Sequence, residues 1–400
     1  MERSNVSPDL IRWARKRSGL PINALEARWP KYALWESGEG CPTSRQLEEL
    51  ARRTQTPLGL FYMPAAPSSQ LEVADLRNTD ARRPTTASSS LLEAVHICRF
   101  RQHWYRERAI AEGARPLKFI GRSGPGDPVV KVAEAIRRTV DWTPSGCIDP
   151  VDALPALERM ISGVERAGIM VMRGGKSADG QAAEPEFRGL VLADVYAPLI
   201  YLDATDVPAA QIFTLAHELV HLWLGTSGIS NPRETLVSEG RVLEVFCNRV
   251  AAEALVPLDQ FREEWTMRES IEGQSHRLAG VFCVSPFVIL RRAYDAGFID
   301  GETFHTTYAK ESERVAREAT IRGVAGMPLT PVQRVGRRFG EAVAAAVQAH
   351  RLGEEEAMAL LGACTPEEVW AVSGSHDDYI SVDSDAQHNR SFSHLAASGW

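Results

Sequence analysis

The sequence predicts an α+β protein: a small sheet bracing one central helix, with an all-helical N-terminal module before it and a helical C-terminal region after it. Three observations carry this. Apolar positions at helical spacing dominate the first sixty residues and the last third of the chain. Three short β-like runs follow one another: Gly168 to Met172, Phe187 to Leu192 and Leu199 to Leu202. Directly after them, from about Pro208, comes an apolar helical stretch containing two histidines four residues apart.

At 400 residues the chain is too long for one ordinary core, so two or three domains are expected. The division we read is 1–66, 67–128, 129–310, 311–372 and a tail, 373–400. Hydrophobic residues at 44% and charged residues at 24% fit a globular protein, and the net charge of −7 excludes a chain that is basic throughout. Nucleic-acid contact would need a local patch. The six cysteines form no C-x-x-C pair, so reduced, mostly buried thiols are expected. Met1 to Leu20 has no apolar core of a secretory signal, and no stretch is apolar enough to span a bilayer. A cytoplasmic location is the expectation.

In the first unit, Leu10, Trp13 and Ala14 share one helical face and Gly19 ends that helix. A short helix is predicted near Ile22 to Arg28, and another on Leu47, Leu50 and Ala51, with Pro57 to Phe61 closing the unit. With "WESG" and "PTSRQLEELA" in recognisable places, this layout resembles an Xre-type helix-turn-helix module. It departs from that module between Gly19 and Trp35, which is short, and at Pro30, which sits where the reading helix should begin. Trp29, Tyr32 and Trp35 put aromatic bulk where polar base-readers belong. Arg12, Arg15, Lys16, Arg17, Arg28 and Lys31 could form a basic patch, so weak, sequence-independent DNA binding is the most this unit should show.

Ala65 to Ser89 reads as a linker, and Ser90 to Ala114, Val129 to Val140 and Val151 to Ala167 read as helices. After the strands and the central helix, Val242 to Leu255 reads as a helix stopped by Pro257. Ser275 to Gly297 carries a second helix-turn-helix-like pattern, which we read as packing of Val281, Phe282, Val284 and Leu290. Pro331 to Leu361 is helical, and the Ser/Asp/His-rich tail is expected to be disordered.

The chemistry sits in Ala216-His217-Glu218-Leu219-Val220-His221. Residues four apart on a helix lie one above the other, so both imidazoles can reach one metal ion. Zinc suits this donor type and leaves a position for water, while Mn²⁺ could compete. Glu218 then serves as the general base toward that water. The third ligand could be Glu234, Glu239, Glu244 or Glu253. We choose Glu244, with Glu239 as its rival, because Glu244 and Asn248 share a helix face and Asn248 can orient a ligand from behind. Helix, strands, metal-bearing helix, then more helices is the order of a minimal zincin-like metallopeptidase domain.

"FRGLVLADVYAPLIYLDATDVPAAQIFTLAHELVHLWL" followed by "EVFCNRVAAEALVP" resembles the ImmA/IrrE family of bacterial metallo-endopeptidases over roughly Val129 to Ile299. The resemblance implies His217, His221 and Glu244 as ligands and Glu218 as base. It also implies a protein substrate, a helix-turn-helix repressor or antitoxin, cut in the cytoplasm. Tyr308, His305 and His276 remain candidate oxyanion donors. The alternative is a DNA-binding regulator or antitoxin-like partner of a toxin–antitoxin or stress-response system, with the peptidase fold as sensor or scaffold.

Overall fold

Strands that are apolar at nearly every position need cover on both faces, and here they have it. A computed structural model of the chain describes residues 6–18, 20–54, 56, 61, 89–143, 153–174, 187–230, 242–266, 269–322, 329–362, 369 and 372. Most of the linker, the tail from 373 to 400, and the candidate ligands Glu234 and Glu239 lie outside the described residues. The sheet contains β1 (Met170–Gly174), β2 (Gly189–Leu192), β3 (Leu199–Asp203) and β4 (Gly228–Ser230), in the order β1-β3-β2-β4. β1 lies parallel to β3, and β2 runs antiparallel to both β3 and β4. The sequence reading does not anticipate β4, because three residues, one of them glycine, carry no legible alternation.

Helices are numbered in chain order. The N-terminal unit holds α1 (Pro8–Ser18), α2 (Ile22–Glu26), α3 (Tyr32–Ser37) and α4 (Ser44–Arg53). The next three are α5 (Ser89–Ala111), α6 (Val129–Val140) and α7 (Leu154–Arg166). After β3 comes α8 (Pro208–Leu224), and after β4 come α9 (Val242–Leu255), α10 (Leu258–Glu264), α11 (Ile271–Phe282), α12 (Pro286–Asp295) and α13 (Gly301–Arg322). The chain ends its described part with α14 (Pro331–Val335), α15 (Arg337–Gln348) and α16 (Glu354–Leu361).

Alternate side chains of a strand face opposite ways, so the strands feed two cores. Val171, Val191, Ile200 and Leu202 join a core filled by α6 to α12. Met170, Met172, Leu190, Leu192 and Leu199 join another with Val95 and Cys98 of α5 and Phe339 and Val343 of α15. The helix before the sheet and those after Pro331 therefore close its second face. In α11 and α12, Phe282, Val284 and Leu290 are core residues, and Cys283 turns the chain between the two helices at φ 54. Among the described residues no helix is long and apolar enough to cross a membrane.

The cysteine expectation needs a correction. Cys41, Cys98 and Cys247 are free, but Cys283 is disulfide-bonded. Chain length and the lack of a C-x-x-C motif say nothing about which thiols long-range packing brings together.

The N-terminal unit has its own core of Leu10, Ala14, Leu25, Trp29, Tyr32, Trp35, Leu47 and Leu50. Pro30 lies in the turn before α3, which is only six residues long. Gly38 ends α3 at φ 81, where a Cβ would be strained, and Thr43 opens α4 with a capping box to Gln46. The aromatic residues point inward. Among the described residues, three of the basic residues also have acidic partners: Arg12 pairs with Asp9, Arg15 with Glu36 and Arg28 with Glu49. The unit touches the rest of the chain where Trp13 meets His96 edge to face and Ser44 Oγ donates to Glu355 at 3.2 Å.

Candidate metal centre

α8 places the two histidines. Proline in its first turn removes an N–H that has no helical partner anyway, and Gly225 ends it in the left-handed region at φ 69. In between, the helix packs on α7, α9, β2 and β3, so its middle is buried on all sides. His217, Glu218 and His221 are 1%, 0% and 4% exposed. The i, i+4 spacing brings the imidazoles together, with Nε2 of one 3.1 Å from Nε2 of the other.

α9 brings the rest. Glu244 Oε2 lies 3.2 Å from His217 Nε2, and Oε1 lies 3.6 Å from His221 Nε2. Asn248, one turn on, sets its Oδ1 3.0 Å from His217 Nδ1. Thr226 Oγ1 sits 3.1 Å from His221 Nδ1 and donates to the His221 carbonyl oxygen, leaving a lone pair for the ring. Both rings thus have a hydrogen-bond partner at Nδ1; with a proton held there, each Nε2 would turn its lone pair to an ion, and with both nitrogens protonated it donates to Glu244 instead.

This donor set fits a small divalent ion. Bonds of about 2.0–2.2 Å at tetrahedral angles put neighbouring ligand atoms roughly 3.3–3.6 Å apart. The observed 3.1, 3.2 and 3.6 Å bracket that spacing. Among the described residues Cys247 is also in reach, since it, His217 and His221 offer ligand atoms within 4.8 Å of one another. Glu244 matches the spacing more tightly. Burial pushes the Glu244 carboxyl up, but hydrogen bonds from both histidines outweigh this and hold it well below the usual range. Burial pushes the Cys247 thiol up, and the nearby Glu244 and Glu218 add to that. For His217 burial acts downward, yet the bond to Glu244 and the charge of Glu218 leave it raised.

Glu218 follows His217 on α8. Ser230 of β4 donates to its Oε1, while its buried Oε2 has no partner among the described residues. Burial raises its pKa against the opposing pull of His221, His217 and Ser230. The carboxylate fits over β2 only because residue 189 is glycine: a Cβ there would lie 2.7 Å from Thr214 Cγ2 and 3.0 Å from Glu218 Cδ.

The structure thus brings together His217, Glu218, His221, Glu244 and Asn248. Glu253 is elsewhere, buried in an ion pair with Arg292. Of the candidate oxyanion donors, His276 pairs with Glu311 at 3.1 Å, His305 is exposed beside Phe304, and Tyr308 packs on Phe287. Sequence reasoning misses Thr226, Ser230, Gly189 and Cys247. Only Thr226 has a nearby signal, the helix-ending Gly225 before it. The other three depend on strand register or on which side of α9 faces inward.

A central metal-type cluster on a helix braced by a small mixed sheet defines a metallopeptidase-like architecture. Consistent with this, residues 164–294 match the family model Peptidase_M78, the IrrE N-terminal-like domain. The match supports the ImmA/IrrE-type resemblance and suggests a metallopeptidase-type function. It spans the sheet and both site helices, from the end of α7 into α12. No curated protein matches the chain.

Proposed function

We propose that the chain is a zinc-dependent endopeptidase that cuts a cytoplasmic regulatory protein. The carrying observation is the convergence of two imidazole nitrogens and the Glu244 carboxylate at near-tetrahedral spacing, beside a buried Glu218 carboxylate with one oxygen unpartnered among the described residues. His217, His221 and Glu244 would hold the ion, with Asn248 and Thr226 fixing the imidazole tautomers. When bound, the ion supplies Lewis acidity, which makes water nucleophilic at neutral pH. Glu218 takes the proton of the attacking water on Oε2 and passes it to the leaving amide nitrogen. Ser230 holds the other carboxylate oxygen, so the base keeps one orientation while it loses and regains a proton.

The substrate we propose, a helix-turn-helix repressor or an antitoxin, rests on the family resemblance. The N-terminal unit supports a role in packing or protein contact over operator recognition. Its third helix is short, its aromatic residues are buried, and three of its cations already have acidic partners. We expect only weak, salt-sensitive DNA binding from it.

Elemental analysis of purified protein should find one divalent ion per chain, lost in His217→Ala and His221→Ala. Metal-loaded Glu218→Gln protein should then retain a partner that the wild type cleaves. Metal-free wild type under metal-replete conditions, or full occupancy in His217→Ala, would overturn the reading.

A further inference from the structure

We propose that Cys247 is a further metal-ligating residue of this centre, able to close it as a fourth protein ligand. The inference rests on the metal-site reading above and concerns how that site is regulated. Cys247 and Glu244 are three residues apart on α9, so they are neighbours on the face that meets α8. Glu244 keeps 18% of its side chain exposed, whereas Cys247 is fully buried. One helix therefore offers a carboxylate from the solvent side and a thiol from the core side of the same histidine pair. Cys247, His217 and His221 have their ligand atoms within 4.8 Å of one another. A tetrahedral sulfur–nitrogen edge is about 3.6 Å, so a shift of at most about one ångström brings sulfur into bonding range of the histidines.

The chemistry agrees with the geometry. A divalent cation deprotonates a coordinating thiol: the S–H bond breaks, the proton leaves to solvent, and a sulfur–metal bond forms. Thiolate and carboxylate together bring two negative charges against the ion's two positive ones, which suits a buried position. Sulfur is also a donor that zinc accepts readily and manganese does not. Four protein ligands characterise closed, structural zinc sites, and an open position characterises catalytic ones. With Cys247 bound, water has no place on the ion, and Glu218 has nothing to deprotonate. The four-ligand form is the resting form, and withdrawal of sulfur opens it.

X-ray absorption of the zinc-loaded full chain tests this directly. One sulfur neighbour is expected in the wild type, and only nitrogen and oxygen in Cys247→Ser, with Cys247→Ala as a second variant should the first fail to fold. Zinc affinity should drop on the order of tenfold or more on losing the ligand, while peptidase turnover rises. Bound zinc without a sulfur neighbour in the wild type would overturn the inference and leave the three-ligand site standing. A sulfur neighbour that persists in either variant would overturn it as well. Wild-type protein that binds no zinc would overturn both readings together.

Discussion

Glu36 and Glu218 are both buried glutamates on helices, 7% and 0% exposed, yet the chain treats them in opposite ways. Glu36 receives Arg15 on both oxygens, at 2.6 and 3.0 Å, and the Tyr32 hydroxyl at 2.9 Å. Burial pushes its pKa up, but these partners outweigh burial and leave it lowered. Among the described residues Glu218 has Ser230 alone, one oxygen without a partner, and a raised pKa. Leaving a buried acceptor unsatisfied costs about 1–3 kcal/mol. The fold spends nothing of the kind on Glu36, where stability is the only demand. Where a polar group is held buried and incompletely paired, beside two imidazoles that meet nitrogen to nitrogen, the arrangement points to chemistry.

The largest effect that would sharpen this contrast is on turnover. Glu218→Gln keeps the shape and an acceptor for Ser230 but cannot take a proton. Cleavage of the trapped partner should fall by about 10²-fold or more, with metal content unchanged. If turnover survives, Glu218 is only a tolerated defect, and the comparison collapses.

Glu36→Gln should act on stability instead, by about 2 kcal/mol, because it leaves Arg15 without its charge partner. The sign with pH follows from the direction of the shift. A carboxylate with a folded pKa below its ordinary 4.5 stabilises the fold above that value, and loses this contribution as pH falls through the folded pKa. Wild type should therefore lose more stability than Glu36→Gln as pH drops below about 4.5, measured by urea unfolding at pH 6 and pH 3.5. Parallel curves would show that Glu36 and Arg15 are paired only geometrically.

Periodicity made the helices legible. Val129–Val140 and Val242–Leu255 have the bounds the pattern predicts, since their apolar stripes end abruptly at charge or proline. The predicted helical region from Pro331 to Leu361 is three helices, α14 to α16; Gly336 breaks it at φ 81, and a second break at residues 349–353 separates α15 from α16. At the site, His217 and His221 could be placed from helical spacing alone, and Glu244 and Asn248 from theirs. Ser230 and Gly189 could not, because they reach Glu218 through the pairing of β2 with β4, and register is a property of the folded sheet. The cations of the N-terminal unit show the same limit. Sequence supplies the cations, but only packing shows that Arg12, Arg15 and Arg28 already have acidic neighbours.

The smallest effect expected concerns Asn248, which belongs to the site without touching the ion. Its Oδ1, 3.0 Å from His217 Nδ1, is the acceptor that keeps the ring proton away from Nε2. In Asn248→Ala the His217 tautomer is no longer fixed, and the ring must be oriented at the moment of binding. Metal affinity should weaken by about tenfold, near 1.4 kcal/mol, while the fold keeps its stability. Asn248→Asp still offers an acceptor to Nδ1–H and should bind close to wild type. Competition against a chelator measures both. If Ala and Asp behave alike, the acceptor has no role, and His217 is held by helix packing alone, much as Glu36 is held by Arg15 without any demand from chemistry.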